Sequence, residues 1–139
     1  MTRSLPASTV LVSIILGCLS FCSCSDLADA RQARGQGLVY TYQAPVHEAR
    51  AAVRSYLAAE GASIIVDSPA EGLILAEAPW SAFSFGDNIA VFFDPTDPAN
   101  CRIEVVSLGR MTTNVAAARW QDRVHDQLAS QFTRLPPGP

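Results

Sequence analysis

An apolar run, Val10–Phe21, stands near the start of the chain, preceded by a single charge, Arg3, and followed by small residues and cysteines. About 12 such residues suit the apolar segment of a secretory leader, whereas a helix crossing the hydrocarbon core needs roughly 20. The pattern then turns polar. Ser25–Gly37 (SDLADARQARGQG) shows no apolar face to bury, which predicts a flexible tether.

From Leu38 onward the pattern carries structure. Short apolar and β-branched runs predict strands at Leu38–Gln43, Ala62–Val66, Gly72–Ala78, Asn88–Phe93 and Cys101–Leu108. Val46, Ala49, Val53, Tyr56 and Leu57 recur at helical spacing and predict a helix from Val46 to Glu60, with Arg50 and Arg54 on its wet side. Ala44-Pro45 opens it and Gly61 stops it. A second helix is predicted from Val115 to about Phe132, capped by Asn114, with Ala117, Trp120, Val124 and Leu128 on its buried face. Trp80–Asp87 has no clear period, and Asp94–Asn100 (DPTDPAN) reads as a connection.

The expected organisation is a leader over 1–24, a tether over 25–37, one α+β domain over 38–132 and a disordered tail over 133–139. The order β-α-β-β-β-β-α predicts a two-layer sandwich: an antiparallel sheet of four to five strands with both helices on one face. A sheet covered on one side should alternate strictly. Ile64-Ile65-Val66, Val91-Phe92-Phe93 and Val105-Val106 do not. Either the Trp80–Phe85 loop folds over the second face, or that face docks a partner. Phe92, Phe93, Tyr40 and Tyr42 are the candidate partner-surface residues.

Cysteine placement sharpens the reading of the leader. Cys18, Cys22 and Cys24 lie in or just after the apolar run, and only Cys101 lies downstream, in a strand pattern where it reads as a core residue. Ile15-Leu16-Gly17-Cys18 and Phe21-Cys22-Ser23-Cys24 both resemble the bacterial lipobox, so Cys24 and Cys18 are the lipidation candidates. Cys24 suits the length of the apolar run; Cys18 has the more usual glycine before it. Ala28-Asp29-Ala30 is a rival cleavage signal for ordinary signal peptidase, starting the mature chain at Arg31. An uncleaved anchor is the third alternative.

The formal charge of −3, with every basic side chain an arginine and no basic patch, argues against a nucleic-acid partner. Candidate chemistry is sparse. His47-Glu48 opens like a zinc-protease motif, but Ala51 stands where the second ligand belongs. His47 and His125 lack a convincing third metal ligand. Asp94, Asp97 and Asn100 read as turn formers, not calcium ligands. Ser84 has no base beside it in sequence. Neither a cofactor nor a catalytic residue is assigned.

The stretch YTYQAPVHEARAAVRSYLAAEGASIIVDSPAEGLILAE, a hydrophobic hairpin and then AAARWQDRVHDQL resemble small uncharacterised bacterial lipoprotein domains. The layout also resembles the helix-grip domains of the lipoprotein in the outer-membrane barrel-assembly machinery. The likeness covers about 95 residues, implies fold and location, and transfers no functional residue. Lipidation, as the resemblance implies it, adds diacylglycerol and an N-acyl group, which meets the need for more than one chain in stable attachment.

The expectation is therefore a non-catalytic bacterial envelope lipoprotein, membrane-anchored and facing the periplasm, that binds an envelope protein. The alternative is a soluble secreted or periplasmic domain that binds a small ligand.

Overall fold

A computed structural model describes residues 26–80, 86–110 and 118–136. The elements, in order, are α1 (Leu27–Gln32), β1 (Leu38–Gln43), α2 (Val46–Ala59), β2 (Ser63–Ser68), β3 (Leu73–Glu77), β4 (Asp87–Asp97), β5 (Asn100–Gly109), α3 (Ala118–Gln131) and β6 (Thr133–Leu135). The class is α+β, as the pattern predicts. All pairings are antiparallel, in the spatial order β2-β3-β4-β5-β1-β6. Among the described residues no helix is long and apolar enough to cross a membrane.

The larger core lies between the sheet and α2 with α3. Ala49, Val53 and Leu57 from α2 and Trp120, Val124 and Leu128 from α3 meet Tyr42, Ile74, Ala76, Ile89, Val91, Phe93, Cys101, Ile103 and Val105. The strand residues come from one side of the pleat, as the period of two requires. Cys101 is fully buried here, and desolvation pushes its thiol up to about 11, so it packs as a small apolar group.

Three expectations about the chain's ends and connections are corrected. Of the expected 25–37 tether, the described residues 26–37 are instead ordered on the domain: Asp26 caps α1, accepting from Asp29 N–H, while the Asp29 carboxylate accepts from Asp26 N–H. The tail begins later than Thr133, because Thr133–Leu135 adds β6 to the free side of β1. Asp94–Asn100 is not a loop: β4 runs on to Asp97 and only Pro98-Ala99 turns the hairpin. The Asp97 carboxylate accepts from Asn100 Nδ2 at 2.7 Å and Ala99 N–H at 2.8 Å, which closes so short a turn and lowers its pKa. The sheet thus has six strands where four to five are expected.

The second face explains the broken alternation. Leu73, Leu75, Ala90, Phe92 and Val106 are buried there beneath Ala30 and Ala33, with Leu27, Val66 and Leu108 at the margin. Its cover is the Asp26–Ala33 segment, an alternative to the two anticipated. The 81–85 part of the Trp80–Phe85 loop lies outside the described residues, and Trp80 is itself exposed. Ala117 and the Asn114 cap likewise lie outside them.

Edge strand β2 serves both faces. Ile64 pairs with Ala76 and packs on the helix side, whereas Val66 pairs with Leu75 and packs on the α1 side. Residues two apart normally share a face. A bulge at Ile65 shifts the register between them and leaves Ile65 53% exposed on the sheet's free edge.

Candidate functional site

None of the four candidate partner-surface residues forms an open docking face. Tyr42 is fully buried, Phe93 points into the helix-side core, and Phe92 lies on the opposite side of the sheet under the α1 segment. Tyr40 is half-buried against the helix-side core. Apolar residues on both strand faces are equally the signature of a sheet covered on both sides.

What holds the α1 segment over the second face is largely polar. Glu104, only 1% exposed, accepts from the backbone N–H groups of Gly35 at 2.5 Å and Gly37 at 3.0 Å. A buried carboxylate needs such donors. Gly37 is required sterically as well: a Cβ there would collide with the Val105 carbonyl as the chain enters β1. Arg31 pairs with Glu71, Arg34 pairs with Asp94, and the Arg34 guanidinium lies 5.2 Å from the centre of the Phe92 ring.

A second polar cluster joins β1, β6 and α3. His125 is 1% exposed, and its Nε2 donates to the Leu38 carbonyl at 2.9 Å. Burial holds its pKa below the ordinary 6.5, so the ring is neutral near pH 7 and Nδ1 is an acceptor. The Tyr42 hydroxyl directs its proton to Nδ1 at 2.9 Å, with the His125 carbonyl at 3.1 Å as the competing acceptor. Tyr40 meets the imidazole edge-on at 4.9 Å. Arg134 caps the cluster, 3.6 Å above the Tyr40 ring and donating to the Tyr42 hydroxyl at 3.4 Å. Burial raises the Tyr42 pKa despite Arg134. These groups engage one another and fasten the terminal strand.

Arg50, expected on the wet side of α2, is instead buried at 8% exposure. It pairs with Asp67 of β2 and lies 5.2 Å from the Phe93 ring centre, while Arg54 Nε donates to the other Asp67 oxygen at 3.0 Å. This clamp ties α2 to the edge strand. Beside it runs an open groove of about 340 Å³ lined by Ala51, Arg54, Ser55, Ala58 and Ile64.

The remaining sequence candidates stay apart. His47 is exposed at the start of α2, with Glu48 at 3.9 Å, while His125 has both ring nitrogens engaged in the core. Asp94 is held by Arg34 and by Arg102 at 3.0 Å, and Asp97 by its own turn. Among the described residues no group of three or more His, Cys, Asp or Glu is placed to hold a metal. Cys18 and Cys24 lie outside the described residues.

At one end of the sheet, where Glu77 pairs with Asn88 and Asp87 with Gly109, the start of α1 comes alongside. Asp26, Leu27, Ala28, Glu77, Asn88 and Arg110 line an open groove there of about 360 Å³, with Arg110 and Glu77 ion-paired at 2.5 Å. Asp87 is buried at this end; desolvation raises its pKa against the hydrogen bond from Trp120 and the nearby Arg110 charge. Trp80, three residues past Glu77, is 69% exposed.

The residues that sequence reasoning missed are Glu104, Gly37 and the α1 pair Ala30 and Ala33, while His125, weighed there only as a metal ligand, is a buried junction residue. Asp26 and Asp29 at capping-box spacing, with Leu27, Ala30 and Ala33 three apart, were the available signal for α1. No protein-family model matches this chain, and no curated protein matches it.

Proposed function

We propose that this chain is a non-catalytic bacterial envelope lipoprotein, anchored through acyl chains on Cys24 and presenting its α+β domain to a protein partner in the periplasm. The observation that carries this reading is the packing of α1. Ala30 is fully buried, and the segment from Asp26 to Gly37 covers Leu73, Leu75, Phe92 and Val106. Cleavage after Ala30 would remove the capping box and most of α1, exposing part of that apolar face. Processing at Cys24 keeps the whole element. The leader pattern and lipobox resemblance point the same way.

With both sheet faces covered, the partner is assigned to the β2 edge. Ile65 stands exposed on its bulge, beside the groove of Ala51, Ser55 and Ala58. The bulge blocks simple strand addition, so contact here is through side chains and the groove. The small-ligand alternative has less support, because Tyr42, Leu57, Trp120, Ile103 and Leu128 pack the space between helices and sheet.

The deciding experiment is the intact mass of the mature protein recovered from bacterial membranes. A triacylated N-terminus at Cys24 supports the reading, and an unmodified start at Arg31 overturns it. For the partner, Ile65→Asp should abolish a specific crosslink made by the wild type while leaving the unfolding midpoint unchanged. An unaltered crosslink would remove the β2 edge from the proposal.

A further inference from the structure

We propose that the sheet end carrying Asp26 and Trp80 lies against the bilayer, with the Trp80 indole seated at its interface, so that the domain is held in one orientation on the membrane. This rests on the lipoprotein reading and deepens it.

The first argument is reach. Two residue steps separate Cys24 from Asp26, at most about 7 Å of extended chain. At Asp26 the chain is already committed to the fold through its capping hydrogen bonds, and Leu27 and Ala30 are packed on the sheet. An anchor at Cys24 therefore leaves no slack for the domain to stand away from the headgroups or to tumble above them.

The second argument is what shares that end. Asp26, Leu27 and Ala28 border the same groove as Glu77, Asn88 and Arg110, where β3 ends, β4 begins and β5 ends. Trp80 leaves this end directly after β3 and stands next to Gly86, close enough that a Cβ on Gly86 would lie 3.3 Å from the indole ring. It is one of two large hydrophobic residues exposed among the described residues; the other, Ile65, sits on the β2 edge. An indole is a large apolar body that tolerates a partly polar setting, and tryptophan is enriched at the headgroup boundary for that reason.

Charge does not drive the contact. Arg110 is ion-paired with Glu77, and Asp26 and Asp29 add negative charge at this end. Attachment comes from the acyl chains; Trp80 sets which way the domain faces. The orientation should therefore persist in neutral vesicles and at high salt.

The test uses the lipidated full chain, processed in bacteria, its N-terminal mass measured, and reconstituted into phosphatidylcholine vesicles with brominated acyl chains. The Trp80 signal is the emission difference between wild type and Trp80→Phe; the remaining Trp120 is 7% exposed in the core and reports that the variant is folded. The expected result is strong loss of the Trp80 component by brominated lipid, with shielding from acrylamide. A reporter at the opposite end, Ala99→Trp in the Trp80→Phe background, should keep its intensity.

A triacylated Cys24 with an unquenched Trp80, or equal quenching at both ends, overturns the orientation while leaving the lipoprotein reading in place. Lipidation at Cys18 overturns it too, because eight residue steps then separate the anchor from Asp26. A mature start at Arg31 overturns both.

Discussion

The two faces of the sheet are both dry, but they are closed by different means. On one, α2 and α3, each of 14 residues, lay Val53, Leu57, Trp120, Val124 and Leu128 onto aromatic and branched strand residues. On the other, the six-residue α1 contributes mainly Ala30, with Ala33 just beyond it, and the cover is completed by Glu104 and the arginine pairs. Apolar burial is non-directional and tolerant of position. A buried carboxylate is not: its partners must stand in particular places or the burial is destabilising. The helix-side face should therefore fail gradually under mutation, and the α1 face through a few specific groups.

Breaking each side tests that contrast. Leu57→Ala, at a fully buried position on α2, should cost about 4 kcal/mol from lost transfer energy and the cavity left behind, read from urea unfolding. Glu104→Ala should cost roughly 3 kcal/mol by orphaning two backbone N–H groups. Its signature would be local, with amide exchange accelerating at residues 26–37 before it does in α2 and α3. Uniform acceleration would show that α1 is not a separately failing cover.

His125 sharpens the contrast on the helix side. Its pKa is lowered in the fold by burial, so near pH 6.5 the unfolded chain takes up a proton that the native ring refuses. Stability is then full above about pH 6.5 and falls as pH drops below it, by up to about 1.4 kcal/mol per unit within the window. Asp87, whose pKa is raised, acts with the opposite sign in a window that opens upward from its ordinary 3.8. Urea midpoints at pH 7.5, 6.5 and 5.5, with the imidazole followed by NMR, separate the two. The smallest effect belongs to the surface: Arg31→Ala removes a half-exposed pair with Glu71 and should cost less than about 1 kcal/mol, with the difference shrinking in high salt.

The regions legible in the sequence are those where one physical effect dominates. Period decides α2, since Ala49, Val53 and Leu57 must share a stripe, and the unbroken apolar run Ile89–Phe93 marks the first part of β4 as buried on both sides. Arg50 was misread because a long stem lets a guanidinium reach Asp67 and Phe93 from a position the period marks as wet. Phe92 and Phe93 were correctly apolar but wrongly exposed, because a pattern reports that a face is dry and not what dries it.

From the residues alone follow the class of fold and the core positions Ala49, Val53 and Leu57 of α2 and Trp120, Val124 and Leu128 of α3. Only the tertiary structure decided that Asp26–Gly37 belongs to the domain, that Thr133–Leu135 completes the sheet, and that Glu104 and His125 are buried at junctions. The reason is range. Periodicity is set between neighbours along the chain, whereas Glu104 meets Gly35, and His125 meets Leu38, across 69 and 87 positions. Such partners become neighbours only after the sheet has formed.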